Sequence, residues 1–157
     1  MSSTDASGET HQAESALGVD MNLEVVTLPV ADVDRSKAFY LSLGWRLDID
    51  LVISDELRTV QFTPPHSGCS IQFGKGRTAA QPGSAEAMIL VVGDIDATRD
   101  DLISRGVDVS DVQEMKPPGF DAPGRSYFAR ASFRDPDGNG WELQEITTRL
   151  PGRSWEE

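Results

Sequence analysis

Two tandem copies of a β-α-β-β-β module, and hence an α+β fold, are what this sequence predicts. The first observation is a repeat kept in register. Leu28, Val30, Asp32, Val33, Asp34 and Gly44 recur as Leu90, Val92, Asp94, Ile95, Asp96 and Gly106, always 62 positions apart (92 − 30 = 62). The second is a later match at a longer offset. Pro64, Gly68, Ile71 and Gln72 recur as Pro136, Gly140, Leu143 and Gln144, 72 positions apart (144 − 72 = 72). The difference places ten extra residues in the second copy (72 − 62 = 10), and Glu114–Arg125 is the segment that holds them. The third is the run Asp135-Pro136-Asp137-Gly138-Asn139-Gly140, a dense turn signal because Pro presets φ, Gly supplies positive φ, and Asp and Asn bond their own backbone. Trp141-Glu142-Leu143-Gln144 then alternates with the period of a half-buried strand.

The elements follow in order. Asn22–Val30 is rich in β-branched residues and reads as the first strand. Asp32 or Asp34 caps a helix through Arg35–Leu41, which Gly44 stops. Trp45–Ile53 and Leu57–Thr63 read as two strands joined by a Ser-Asp-Glu turn, and Cys69–Phe73 as a fourth after the Pro64–Gly68 turn. The second copy repeats this order. The predicted organisation is a disordered acidic tail over 1–20, one domain over 21–150 and a C-terminal tail over 149–157. Within the domain, module one spans 21–76, a Gly/Ala/Pro-containing linker 77–84 and module two 85–148.

Composition narrows the function classes. The formal net charge is −12, from 14 Lys and Arg against 26 Asp and Glu, which argues against a nucleic-acid partner. No apolar run approaches the length of a membrane span, and the N-terminus lacks a basic region followed by an apolar one, so a cytoplasmic protein without a membrane partner is expected. The single cysteine, Cys69, rules out an internal disulfide.

Several stretches carry a resemblance to a known family. Leu28-Pro29-Val30-Ala31-Asp32-Val33-Asp34 through Phe39-Tyr40, Leu43-Gly44-Trp45, Val92-Gly93-Asp94-Ile95-Asp96 and Phe133–Glu142 resemble the vicinal oxygen chelate superfamily, which includes glyoxalase I, bleomycin-resistance proteins and extradiol dioxygenases. The likeness covers roughly residues 22–148. It implies that the two modules form a curved, barrel-like mixed sheet around a cleft, with helices outside and the ligand inside. It also implies a homodimer, with modules pairing within or between chains.

Metal-using members of that superfamily draw ligands from the first and last strands of each module. The resemblance carries those positions to Val25, Ser70, Ala87 and Glu142, and the repeat offsets agree (87 − 25 = 62; 142 − 70 = 72). A catalytic divalent ion needs about three imidazole, carboxylate or thiolate donors, and only Glu142 is one. No catalytic metal or other cofactor is therefore expected. The alternative is a metal-dependent lyase, isomerase or dioxygenase using Glu142 with Glu24 and Glu86, which strand alternation opposes.

The inner face then reads as a small-molecule surface. Thr27, Ser70, Gln72, Glu142 and Gln144 share its phase, with Gln61, Arg130 and Tyr127 as neighbours. Glu142 is the catalytic candidate, as a general acid or base or an anchor; the competing reading is a buried carboxylate bonded to Gln72 or Ser70. The protein expected is a sequestering or resistance-type binder or a metal-independent enzyme. His66 falls in an exposed turn and Cys69 on the core side, while the Glu114–Arg125 insertion reads as a lid or a surface loop.

Overall fold

The computed structural model describes residues 18–153. Module one runs β1 (Val25–Thr27), α1 (Val33–Ser42), β2 (Arg46–Ser54), β3 (Leu57–Thr63) and β4 (Ser70–Lys75). Module two runs β5 (Met88–Val92), α2 (Ile95–Ser104), β6 (Gln113–Glu114), β7 (Ala129–Arg134) and β8 (Gly140–Glu145). Each module is one four-stranded mixed sheet, ordered β1-β4-β3-β2 and β5-β8-β7-β6, in which only the β1/β4 and β5/β8 pairs are parallel. Among the described residues the strands do not close into a barrel. Most of the predicted N-terminal tail lies outside the described residues.

Local chemistry explains the boundaries. Asp32, not Asp34, is the N-cap of α1: its carboxylate accepts Arg35 N–H at 3.1 Å, and Asp94 accepts Ala97 N–H at 3.0 Å at the matching position of α2. Gly44 and Gly106 follow the two helices at φ +80° and +89°, which only glycine adopts without strain. The first strand is shorter than the expected 22–30 because Pro29, lacking an N–H, cannot extend the ladder. The extra residues of module two leave β6 with two residues where β2 has nine, and residues 115–128 form a loop. None of its residues lines the depression described below, and Arg125 ties it to Asp96 of α2 at 2.7 Å. The chain after β8 folds back on it, with Thr147 and Thr148 N–H donating to Ser126 Oγ and Leu150 N–H to the Tyr127 phenol.

A single core joins the modules. Val60, Phe62, Ile71 and Phe73 of sheet one and Ala131, Phe133, Trp141 and Leu143 of sheet two are all buried, and Tyr40 of α1 lies between the two groups. Its ring centroid stands 5.2 Å from Trp45, 5.7 Å from Phe73 and 6.2 Å from Trp141. Such aromatic contacts add about 0.5–1.5 kcal/mol each beyond area burial.

The turn motif holds the junction. Asp135 is buried and accepts the Tyr40 hydroxyl at 2.9 Å, Asn139 Nδ2 at 2.9 Å and the N–H groups of Asp137 and Asn139. Burial and the adjacent carboxylate push the Tyr40 phenol far above its ordinary range, so it stays a donor. Asp137 reaches across to Ala31 N–H at 3.0 Å and Arg35 at 2.9 Å. Asn139 donates to Pro29 O and accepts from Ala85 N–H. A second network pins α1 to the outer side of sheet one: Lys37 and Arg58 both bind Asp50, at 2.7 and 3.0 Å, and Arg58 also binds Asp34 at 2.9 Å.

Candidate functional site: the inner faces of the two sheets

Strand registers assign the residues opposite the core. On sheet one they form the rows Val25–Ser70–Thr63 and Thr27–Gln72–Gln61–Ile49. On sheet two they form Ile89–Glu142–Ser132 and Val91–Gln144–Arg130–Gln113. The phase read from sequence for Thr27, Ser70, Gln72, Glu142 and Gln144 is thus the phase in the fold, and Gln61 and Arg130 join them. The repeat misplaces one neighbour. Ile89, not Ala87, lies beside Glu142, because β5 is displaced by two residues along β8 relative to β1 on β4. Ala87, at φ +57°, marks where the chain departs from regular strand.

These side chains pair within their own module. On sheet one Gln72 Nε2 donates to Thr27 at 2.8 Å, and the Thr63 and Ser70 hydroxyls meet at 2.6 Å. On sheet two Arg130 donates to Glu142 at 3.0 Å, both partly exposed, and Gln144 turns aside to donate to Tyr127 O at 2.7 Å. Glu142 is therefore bonded to Arg130 rather than to Gln72 or Ser70. Tyr127, at φ +74°, supports the loop through its N–H, carbonyl and hydroxyl.

One concavity beside these pairs lies on sheet two. A depression of about 320 Å³ is lined by Glu86, Ala87, Ser110, Gln113, Arg130–Arg134 and Gly140–Glu142. Of the residues expected to bind ligand, it takes in Arg130 and Glu142 but not Thr27, Gln61, Ser70, Gln72, Tyr127 or Gln144. Beside Glu142 and Gln144, Ile89 and Val91 stand 46% and 47% exposed, and on sheet one Ile49 and Leu51 are 41% and 53% exposed. Polar pairs beside uncovered apolar rows make an amphipathic surface suited to an organic molecule with a few hydrogen-bonding groups.

The donor set does not fit a catalytic metal. Among the described residues no group of three His, Cys, Asp or Glu side chains is placed to hold an ion. The carboxylate alternative is further compromised because both oxygens of Glu86 are bound by Arg134, at 2.9 and 3.3 Å, and Glu142 by Arg130. His66 occupies a turn at φ +63°. Cys69 is partly buried, and burial, with Glu24 nearby, raises its thiol above the ordinary range, which opposes a nucleophilic role.

Sequence reasoning missed Asp48. Alternation puts Asp48 and Asp50 on one face, but the β2/β3 register shifts between Leu47 and Ile49, so Asp50 lies opposite Val60 while Asp48 turns inward to Thr63 and Gln61. No glycine or proline announces that bulge.

The sequence model of the Glyoxalase/Bleomycin resistance protein/Dioxygenase superfamily matches residues 22–143. Among solved structures, TnmS3, an antibiotic binding protein from Streptomyces sp. CB03234, is 26% identical, with a TM-score of 0.67 over 83% of this chain and 100% of its own. A glyoxalase/bleomycin resistance protein from the same organism is 27% identical, with a TM-score of 0.62 over 78% of this chain and 99% of its own. UcmS2 is also 27% identical, with a TM-score of 0.63 over 80% of this chain and 98% of its own. No curated protein sequence matches the chain. Among the described residues no helix is long and apolar enough to cross a membrane.

Proposed function

The chain belongs to the glyoxalase/bleomycin resistance protein/dioxygenase superfamily, and from that premise we propose that it binds a small organic molecule on its inner sheet faces without a catalytic metal, as a sequestering, resistance-type protein of the cytoplasm. The observation that carries the reading is the pairing of Arg130 with Glu142. The one strong metal donor among Val25, Ser70, Ala87 and Glu142 is bonded to a guanidinium, in a depression whose other polar groups are Ser110, Gln113, Ser132 and the Glu86–Arg134 pair. A cation would have to displace an arginine, whereas a neutral polar ligand can share both partners. The description of TnmS3 as antibiotic-binding supports a binder over an enzyme.

The ligand-lining side chains are Arg130, Glu142 and Gln144 from module two and Thr27, Gln61, Ser70 and Gln72 from module one. Tyr127 orients Gln144 instead of touching the ligand. The protein acts as a homodimer, in which a second copy covers the exposed Ile49, Leu51, Ile89 and Val91 and converts open faces into a cleft. A thermal-shift screen of chelator-treated protein against a panel of antibiotics headed by bleomycin tests this. At least one compound raises Tm with chelator present, and Arg130→Ala with Glu142→Ala removes the shift. A shift that needs added Mn, Fe, Ni or Zn and disappears with Glu142→Ala alone overturns the metal-free reading.

A further inference from the structure

The Thr63–Ser70 hydroxyl pair on the inner face of sheet one has a fixed hydrogen-bond polarity, and Asp48 sets it. The bulge in β2 brings its carboxylate against Thr63 Oγ1, against Gln61 Nε2 at 3.4 Å and against Arg46 Nε at 2.5 Å. Thr63 and Ser70 are both buried, and their hydroxyls meet at 2.6 Å. An ionised carboxylate only accepts, so Thr63 gives its proton to Asp48. The Thr63 oxygen is then an acceptor toward Ser70, and Ser70 gives its own proton in turn. What remains at the head of the chain is the lone pairs of Ser70 Oγ. Gln61 gives one amide N–H to Asp48, which orients the amide and leaves its carbonyl oxygen as a further acceptor. Both oxygens are acceptors, placed diagonally on the neighbouring strands β4 and β3. Arg46 balances the charge of Asp48, so the patch is neutral.

We infer that this patch is a recognition point for a neutral hydrogen-bond donor, a hydroxyl group of the ligand, with Ser70 Oγ and Gln61 Oε1 as the acceptors and Asp48 as the positioning residue. The inference rests on the reading of the inner faces as the ligand surface. It adds a direction to that surface: at Ser70 Oγ a ligand group that only accepts, such as an ether oxygen, meets lone pairs and gains no hydrogen bond. The carboxyl keeps its role over the working pH range. Burial works against its ionised form, but hydrogen bonds from Arg46, Thr63 and Gln61 hold it below the ordinary carboxylate range.

Nuclear magnetic resonance titration of the full chain with resorcinol and with its dimethyl ether tests the inference, since the two share a ring and differ in donors. Resorcinol perturbs the amides of Gln61, Thr63 and Ser70 and binds there roughly five- to tenfold more tightly than the ether, the worth of one neutral hydrogen bond. Asp48→Asn supplies an N–H and lets the hydroxyl chain run in either direction, and Thr63→Val cuts it; each brings the ratio to about one in a folded protein. A purely packing role for Asp48 leaves the ratio unchanged. Equal binding of both probes at these residues, or a preference that survives both substitutions, overturns the donor assignment while small-molecule binding stands. No perturbation of these residues by either probe overturns the inference, and silence across the inner faces of both sheets removes the binding reading with it.

Discussion

Asp50 and Asp48 stand two residues apart with different surroundings. Asp50 lies between Arg58 and Lys37 on the helix side, and hydrogen bonds from Arg58 and then Lys37 hold its carboxyl at about 2, against 3.8 ordinarily. A carboxyl depressed on folding contributes stability above its unfolded pKa and loses it as pH falls through the folded one. The difference in unfolding free energy between wild type and Asp50→Asn is therefore constant above about pH 4 and shrinks as pH falls toward 2. Urea titrations of both proteins across that range check it; a pH-independent difference shows that the ion pairs contribute nothing. At the same scale, the polar groups of the Asp135–Asn139 turn serve the module junction, and those of the inner faces lie on β1 to β4 of sheet one and β6 to β8 of sheet two.

Elements show why part of the fold was legible and part was not. The two helices, both cap aspartates and both stopping glycines sit where the repeat places them, because caps and left-handed glycines are local signals. The faces of β4 and β8 were legible too, since alternation fixes the side once one core residue is known. Strand register was not. The displacement of β5 along β8 and the bulge at Asp48 are tertiary features, and they decide that Ile89 neighbours Glu142 and that Asp48 faces inward. Arg130 and Tyr127 were legible as neighbours of the inner face, but the pairings of Glu142 with Arg130, Ser70 with Thr63 and Gln144 with the Tyr127 carbonyl were not, because each partner lies on an adjacent strand or loop. The linker also does more than connect. Gly83, at φ +81°, brings its N–H to Pro29 O at 3.1 Å, and a Cβ there would fall 2.1 Å from the Asp137 carbonyl oxygen. Gly83→Ala combines a left-handed backbone, costing about 1 kcal/mol or more, with a steric overlap against the turn. It lowers Tm by several degrees in calorimetry, whereas Gly106→Ala, with nothing within 4 Å of its Cβ, carries the backbone cost alone. Equal losses contradict the part assigned to the junction.

At the scale of the whole molecule, the modules share a core on their helix-facing sides and leave the opposite faces uncovered. The depression on sheet two is lined by module two alone. Ile49, Leu51, Ile89 and Val91 lie uncovered along these faces, the pattern of a surface that a partner covers. The proposed homodimer predicts that light scattering of the purified chain gives twice the mass of one 17.1 kDa chain, and that Leu51→Asp with Ile89→Asp returns a monomer of unchanged secondary structure. A monomeric wild type, or a dimer indifferent to both substitutions, contradicts the assembly.

The central claim, an organic ligand held without a metal, is tested most directly by calorimetric titration of chelator-treated protein with the compound giving the largest thermal shift. The account predicts saturable binding in chelator, unchanged by added Mn, Fe, Ni or Zn and weakened at least tenfold, about 1.4 kcal/mol, by Arg130→Ala with Glu142→Ala. Binding that appears only with metal, or that ignores both substitutions, contradicts it.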